Sequence, residues 1–245
     1  DVMAWMASNK LKLNPDKTEA IPISKPSLLR LVDGDSTDMG GSVVPFQKTV
    51  VYLGVTIDQT LSLDQQIRNT CRLCYHQIRR ISSIRPFLTQ QAAAGLMSAL
   101  VLSRVDYCNS LYVGLTQQQT DKLQHAQNHA ARVVTRRRMR DHVTPLLRQL
   151  HWLPVKSRCR YKIATMAYRH FENTLPKYLC DSLVTKTYPK ETRQSNVKRL
   201  HPPRKPNLKT IGGRSFSHVA PTVWNSLPAD LRSLPTLPAF KSSLK

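Results

Sequence analysis

The chain has 245 residues, of which 40% are apolar, enough for one large domain or two smaller ones with a hydrophobic core. It lacks both the run of about 18 apolar residues needed to span a bilayer and the ordered regions of a signal peptide, so we expect a soluble, intracellular protein. Five cysteines, without an Asn-x-Ser/Thr acceptor site, favour reduced thiols.

The formal net charge of +22 is unevenly distributed. Residues 1–67 carry 6 Lys/Arg against 8 Asp/Glu, and residues 68–214 carry 28 against 6. A basic excess confined to one stretch favours a polyanionic partner, either nucleic acid or an acidic membrane. A generally basic surface that only confers solubility is the alternative.

The first third of the chain predicts a helix end followed by strands. Residues 2–9 have helical apolar spacing without a start signal before them, so we expect that the beginning of the protein is missing. Three short runs rich in β-branched or other apolar residues predict strands at 18–23, 28–32 and 50–57.

The loop at residues 33–42 contains Asp33, Asp35 and Asp38, which suggest a metal site. Their spacing does not match a calcium loop with its closing Glu, so a solvated turn is favoured.

From Ser62 the pattern becomes helical. Ser62 and Gln65 form a capping-box pattern, and apolar residues follow at helical spacing to Ile81. Four arginines lie off this apolar stripe: Arg68, Arg72, Arg79 and Arg80.

Two further helices are predicted, and the three together suggest a small bundle. Thr89 starts the second, while Thr116 with Gln119 starts the third, which is expected to run into the arginines of residues 136–140.

The rest of the chain predicts helices separated by turns. A short helix ends at Leu150, a longer one covers about 155–171, and residues 185–214 read as an extended basic segment. Trp224 and Phe240 are among the apolar anchors expected to dock the tail on the body.

Catalytic and metal motifs are weak. Cys71 and Cys74 form a CxxC pair near His76, but both lie on the apolar stripe and no second pair completes a zinc site, so core thiols are favoured. No Cys or Ser has an identifiable base, and no glycine-rich phosphate loop is present.

Two features suit nucleic-acid binding. Arg136, Arg137, Arg138 and Arg140 form either a phosphate clamp or a solvated helix end. Between Trp152 and Tyr178, aromatic residues alternate with Lys and Arg in a mixture suited to base stacking, although helical spacing makes most of these aromatics core residues first.

Several strings resemble one family. The runs NKLKLNPDKTEAIPIS (9–24) and VVYLGVTID (50–58) resemble the end of the palm in reverse transcriptases of LINE-type (non-LTR) retrotransposons, especially Jockey-like and related clades. Four later runs resemble successive thumb and C-terminal blocks: DYCNSLYVGL (106–115), LHWLPVKSRCRYKI (150–163), LPKYLCDSL (175–183) and GGRSFSHVAPTVWNSLPADLRSLPTLPAFKSSLK (212–245).

The resemblance implies a division of the chain and an α+β fold, the remnant of an antiparallel palm sheet followed by a mainly helical thumb bundle and a helical C-terminal region. The implied parts are the end of the palm with the primer-grip hairpin (1–60), the thumb-like bundle (61–142), a helical region (143–184), the basic Pro-containing segment (185–214) and a docking tail (215–245).

The resemblance also implies residue roles. Lys17 matches a lysine near the nucleotide phosphates, with an exposed turn lysine as the alternative, and Tyr52, Leu53 and Gly54 match the primer-grip turn. The thumb arginines would then follow the sugar-phosphate backbone.

The catalytic Tyr-x-Asp-Asp turn of the family would lie upstream of Asp1, so neither catalysis nor a metal site is expected in this chain, although Mg²⁺ is implied for the complete polymerase. The implied partners are an RNA/DNA hybrid template-primer and the missing N-terminal palm and fingers, with no membrane. The implied location is either the nucleus or a cytoplasmic ribonucleoprotein.

Two other interpretations remain open. One is a host-retained basic module that binds RNA or a protein without a polymerase role. The other is a decayed element product without function, which we expect to aggregate.

Overall fold

The structure, a computed structural model, describes residues 2–12, 14–32, 34–39, 41–186, 198–201 and 212–244. Within these ranges the fold is mixed α+β, with many helices and two small antiparallel sheets, in agreement with the predicted class. The chain divides into two compact units, Asp1–Arg68 and Asn69–Lys245. Most of the predicted basic extended segment, residues 187–197 and 202–211, lies outside the described residues.

The first unit contains short elements. Its helices are α1 (Val2–Ser8) and α2 (Pro26–Leu29). Its strands form two hairpins: β1 (Ser36–Asp38) pairs with β2 (Val43–Pro45), and β3 (Thr49–Tyr52) pairs with β4 (Val55–Asp58). The predicted helix at residues 2–9 is therefore confirmed.

Two strand predictions in this unit are wrong. The run at 28–32 forms the end of α2 and a turn, because Pro26 lies in the first helical turn, where its fixed φ favours a helix start. The run at 18–23 makes one isolated bridge, from Ala20 to Phe46. Short apolar runs do not distinguish strand from helix by pattern alone.

The run at 50–57 forms a hairpin rather than one strand. Leu53 and Gly54 have φ angles of +47° and +77°, and positive φ at both central residues is what a type I′ turn requires. The turn therefore falls where the resemblance implied it, and Tyr52 pairs with Val55 across it.

A single carboxylate organises the start of the long helix α3 (Asp64–Ile84). Asp58 accepts hydrogen bonds from the main-chain N–H groups of Thr60, Ser62 and Leu63 at 2.7 to 3.1 Å. Ser62 Oγ in turn accepts from the N–H of Asp64 at 3.2 Å. Burial by itself raises the pKa of Asp58, but the hydrogen bond from the Thr60 hydroxyl and those from the main chain together lower the pKa overall.

The predicted apolar stripe of α3 is largely confirmed. Leu63, Ile67, Cys74, Ile78 and Ile81 are buried, and Cys71 on the same stripe is half-buried. The stripe continues into the second unit, where Cys74 Sγ lies 3.7 Å from the carbonyl of Val101.

The second predicted helix has three parts. Thr89 caps α4 (Gln90–Met97) by accepting a hydrogen bond from the N–H of Ala92. The helix then widens into a π-helical turn (Ser98–Leu102) and returns to α-helix as α5 (Ser103–Asp106).

Helix α6 (Gln117–Thr135) starts with the predicted capping box, in which Thr116 and Gln119 bond reciprocally. It ends before the arginine run, so the prediction that it extends through residues 136–140 is wrong. Arg136 takes the left-handed conformation with φ of 53°, and Arg137 N–H bonds to Arg132 C=O, which is the pattern of a Schellman C-cap.

The remaining described helices form the C-terminal part of the second unit. They are α7 (Thr144–Gln149), α8 (Val155–Phe171), α9 (Lys177–Cys180), α10 (Phe216–Asn225), α11 (Ala229–Arg232) and α12 (Leu237–Ser243).

The tail docks on α8, as predicted. Tyr168 of α8 stacks on Phe240 with ring centroids 4.7 Å apart and makes an edge contact with Trp224. All three rings are fully buried, and the Tyr168 hydroxyl donates to the carbonyl of Leu234 at 2.9 Å.

Candidate nucleic-acid interface

A buried arginine joins the end of α3 to the end of α6. Arg85 begins the 3₁₀ turn Arg85–Phe87 that follows α3. Its guanidinium donates to the carbonyls of Leu88, Val133 and Val134 at 2.6 to 3.0 Å. Two of these carbonyls belong to the last turn of α6, and that of Val133 also accepts from the N–H of Arg136 at 3.3 Å. Arg85 therefore fixes the two helix ends side by side.

Arg136 makes the reciprocal connection. Its Nη2 donates to the carbonyls of Arg85 and Pro86 at 3.1 and 3.2 Å. Burial, with the nearby charge of Arg136, lowers the pKa of Arg85. Arg136 is thus partly committed to holding the 3₁₀ turn, and its predicted role as a phosphate contact stays a prediction.

The next residues form an ordered turn rather than a helix. Asp141 Oδ2 accepts from the N–H of Arg138 at 3.0 Å, and the Asp141 carbonyl accepts from Arg132 Nη2 at 3.1 Å. Hydrogen bonds of Asp141 to Arg138 and to Arg132 of α6 therefore fix the main chain of this turn.

Five exposed arginines lie at these joined helix ends. We call them the arginine surface: Arg79, Arg80, Arg137, Arg138 and Arg140. None of their side chains makes a hydrogen bond or ion pair with another described residue. Their donors are consequently available to an anion from outside the chain.

The outer face of α3 carries another exposed arginine. Arg72 and Arg79 are seven residues apart, which is about two helical turns, so they lie on one side of α3 about 10 Å apart along its axis. This side is opposite the buried residues Cys74 and Ile78. Arg68 is also exposed and is the last residue of the first unit.

Phe87 is a candidate site residue that was not predicted from the sequence. The residue is 88% exposed in the turn that Arg85 and Arg136 hold. The signal was available, because an aromatic residue follows Arg85 and Pro86 at the end of an arginine-rich helix, outside the apolar periodicity.

The residues that resemble palm positions lie in the first unit. Lys17 ends a 3₁₀ turn (Pro15–Lys17) and is exposed. Tyr52 and Leu53 are 66% and 74% exposed at the hairpin tip, next to Gly54. The arginine surface belongs to the second unit.

The aromatics predicted to interleave with cations are mostly core residues. Trp152 and Tyr168 are buried, and Phe171 packs on Trp224 with ring centroids 5.1 Å apart. Tyr178 differs, because it is 74% exposed on α9.

Several predicted cations have internal partners. Arg158 forms a two-bond ion pair with Asp106, and Arg160 donates to Ser226 Oγ at 3.1 Å. Asp106 is therefore the partner of a structural ion pair.

One cysteine does have a candidate base, contrary to the sequence prediction. His170 Nδ1 lies 3.1 Å from Cys180 Sγ, and His170 Nε2 lies 3.1 Å from Thr185 Oγ1. Burial lowers the pKa of His170. The three residues come from α8, α9 and the segment after α9, so their spacing in the sequence gave no sign of the contact.

Cys71 and Cys74 behave as core thiols. Burial raises the pKa of both, to about 12 for Cys74. Within the described ranges, no three His, Cys, Asp or Glu side chains come together as metal ligands.

A cavity of about 490 Å³ opens between α8 and α10. Lys156 and Arg160 lie one turn apart on α8, and His218 and Thr222 lie one turn apart on α10. Its lining also includes apolar residues, among them Leu123, Val219 and Val223.

Comparison with protein-family models, with curated proteins and with solved structures found no match for this chain. In the described part of the chain, no helix combines the length and the apolar character needed to cross a bilayer.

Proposed function

We propose that the chain binds nucleic acid through its phosphate backbone and that the arginine surface is the principal contact. The observation that carries the proposal is the cluster of exposed arginines at the joined ends of α3 and α6. Arginine presents a planar fork of donors that matches phosphate geometry. Contacts of this kind position a strand without reading its sequence.

The finer proposal is that the chain is part of an RNA-directed DNA polymerase of a LINE-type retrotransposon. In that case residues 1–60 are the end of the palm and residues 61–142 are the thumb, and the ligand is an RNA/DNA hybrid. The support for it is the order of the resembling runs along the sequence and the hairpin turn at Leu53 and Gly54. The described residues supply binding and no catalytic step.

The first experiment measures binding of a fluorescent RNA/DNA hybrid at several salt concentrations. The test variant carries Arg137→Ala, Arg138→Ala and Arg140→Ala. The matched control removes three exposed cations of α8, through the substitutions Lys156→Ala, Lys162→Ala and Arg169→Ala.

We expect wild-type affinity to fall steeply with salt, because bound phosphates release counterions. The test variant should lower the slope of log K against log salt by about 2 to 3, as each lost phosphate contact removes nearly one unit. Equal losses of affinity in the test and control variants would show that binding depends on the total charge of the protein rather than on the arginine surface. Binding that ignores salt would contradict the proposal altogether.

The second candidate is a host-retained binding module without a polymerase role. The observation that favours it is that the arginine surface lies entirely within the second unit. Lys17→Ala and Tyr52→Ala should weaken hybrid binding if the polymerase proposal is right. If only the arginine variants lose affinity, the binding module is the better description.

A further inference from the structure

Phe87 is an aromatic side chain that the fold leaves in solvent. It is 88% exposed, whereas Phe240 in the same unit is fully buried. Isolated exposed apolar residues are common, so exposure alone identifies no function.

The main chain around Phe87 is held in place. The carbonyls of Arg85 and Pro86 accept from Arg136, and Leu88 donates its N–H to the Arg85 carbonyl while its own carbonyl accepts from the Arg85 guanidinium. A ring carried on such a turn loses less conformational freedom on binding than a ring on a loose loop, which makes it a better contact.

The surroundings of Phe87 are cationic and partly apolar. The ring lies in the turn that follows α3, the helix of Arg79 and Arg80. Arg136 is hydrogen-bonded to this turn, which brings the start of residues 136–140 next to it. Met139 in that second segment is 67% exposed. Aromatic faces combined with a positive surface are the usual means of binding single-stranded nucleic acid.

We propose that Phe87 stacks on an unpaired base, so that the arginine surface binds a single-stranded segment of the nucleic acid. This inference rests on the proposed function and specifies its ligand. In a duplex the bases already stack on one another, and a protein ring reaches a base face only after that base is unstacked. The phosphates beside the unpaired base then lie against the arginines.

The test compares a single-stranded RNA with an RNA/DNA hybrid of the same length and blunt ends, each titrated with the full chain. Three variants separate a ring from a merely apolar contact: Phe87→Ala, Phe87→Leu and Phe87→Trp. Tyr178→Ala serves as the matched control, because Tyr178 is an exposed aromatic on α9. Circular dichroism establishes that each variant is folded.

Stacking of one base predicts that Phe87→Ala weakens single-strand binding by about 5-fold to 100-fold. Phe87→Leu should lose nearly as much, and Phe87→Trp should retain or improve the affinity. Binding of the blunt hybrid should change less than about twofold, and Tyr178→Ala should have no effect on either ligand.

Two results would overturn the inference. Wild-type affinity of Phe87→Ala for the single strand would show that no base stacks there, and an equal loss for both ligands would show that the ring does not distinguish unpaired strands. The arginine variants report separately on the proposed function. If they lose affinity while Phe87→Ala does not, backbone binding stands and only the stacking contact fails.

Discussion

At the scale of single residues, Asp58 shows how much structure one carboxylate organises. It receives main-chain and side-chain donors from Thr60 and Ser62 and a further main-chain donor from Leu63, which has a positive φ. These bonds turn the chain out of β4 and into α3. The capping-box pattern located the helix start within two residues, but the main acceptor lies four residues before Ser62.

We expect Asp58→Asn to destabilise the first unit by about 1 to 2 kcal/mol at pH 7, the usual cost of losing a capping side chain. Because the hydrogen bonds lower the pKa of Asp58 in the folded state, its stabilising effect is present above the unfolded value of about 3.8 and is lost as the pH falls through the folded value.

Urea unfolding at pH 7 and pH 3 measures this effect. The difference in free energy of unfolding between wild type and Asp58→Asn should be smaller at pH 3 than at pH 7. The control Asp35→Asn, in an exposed loop, should change the free energy of unfolding little at either pH. A difference of the same size at both pH values would contradict the role given to the charge.

Arginines that lie only a few positions apart in the sequence have opposite roles, one buried and structural and the others exposed. Arg85, in the 3₁₀ turn after α3, is 8% exposed and bonds to three carbonyls, whereas Arg79 and Arg80 on α3 face solvent. Periodicity separates these roles in principle, because Arg85 falls on the buried stripe four residues after Ile81. Its three carbonyl partners lie on two segments, which no local pattern reveals.

At the scale of elements, helices were predictable from sequence and short strands were not. The helix from Val155 to Phe171 and the cap at Thr116 were located correctly, because long periodic runs and capping patterns are local properties. The strand predictions at 18–23 and 28–32 failed because pairing depends on a neighbour distant in sequence. Residues 136–140 lie outside α6 because Arg136 adopts a left-handed conformation that ends the helix.

The docking of α12 on α8 gives a prediction at this scale. Phe240→Ala should lower the free energy of unfolding of the second unit by about 3 to 5 kcal/mol, because it leaves a cavity against Tyr168 and Trp224. Urea denaturation followed by tryptophan fluorescence measures the change.

The same substitution at an exposed site is the control. Phe87→Ala should alter the free energy of unfolding by less than about 0.5 kcal/mol. Small losses of stability in both variants would mean that Phe240 is not the anchor of the tail, and large losses in both would mean that Phe87 is packed.

At the scale of the whole molecule, the two units differ in charge and in the size of their hydrophobic cores. The described part of the first unit buries few apolar side chains and exposes many, among them Trp5, Leu31, Val43 and Leu53. The second unit holds the aromatic cluster around Trp224 and the whole of the basic excess. The charge distribution was readable from sequence, whereas the site was not, since it depends on the contact between the ends of α3 and α6.

The turn at residues 137–140 also makes the molecule vulnerable to trypsin. Proteases cut exposed main chain in loops and turns far faster than in helices, and this turn offers three exposed arginines outside any helix. Among the described residues, we expect the earliest trypsin cuts there, and mass spectrometry of a short digest identifies them. Bound RNA should slow cleavage at this turn and leave the rate of cleavage after Arg169 unchanged. Protection from trypsin would then show which face of the protein the RNA covers.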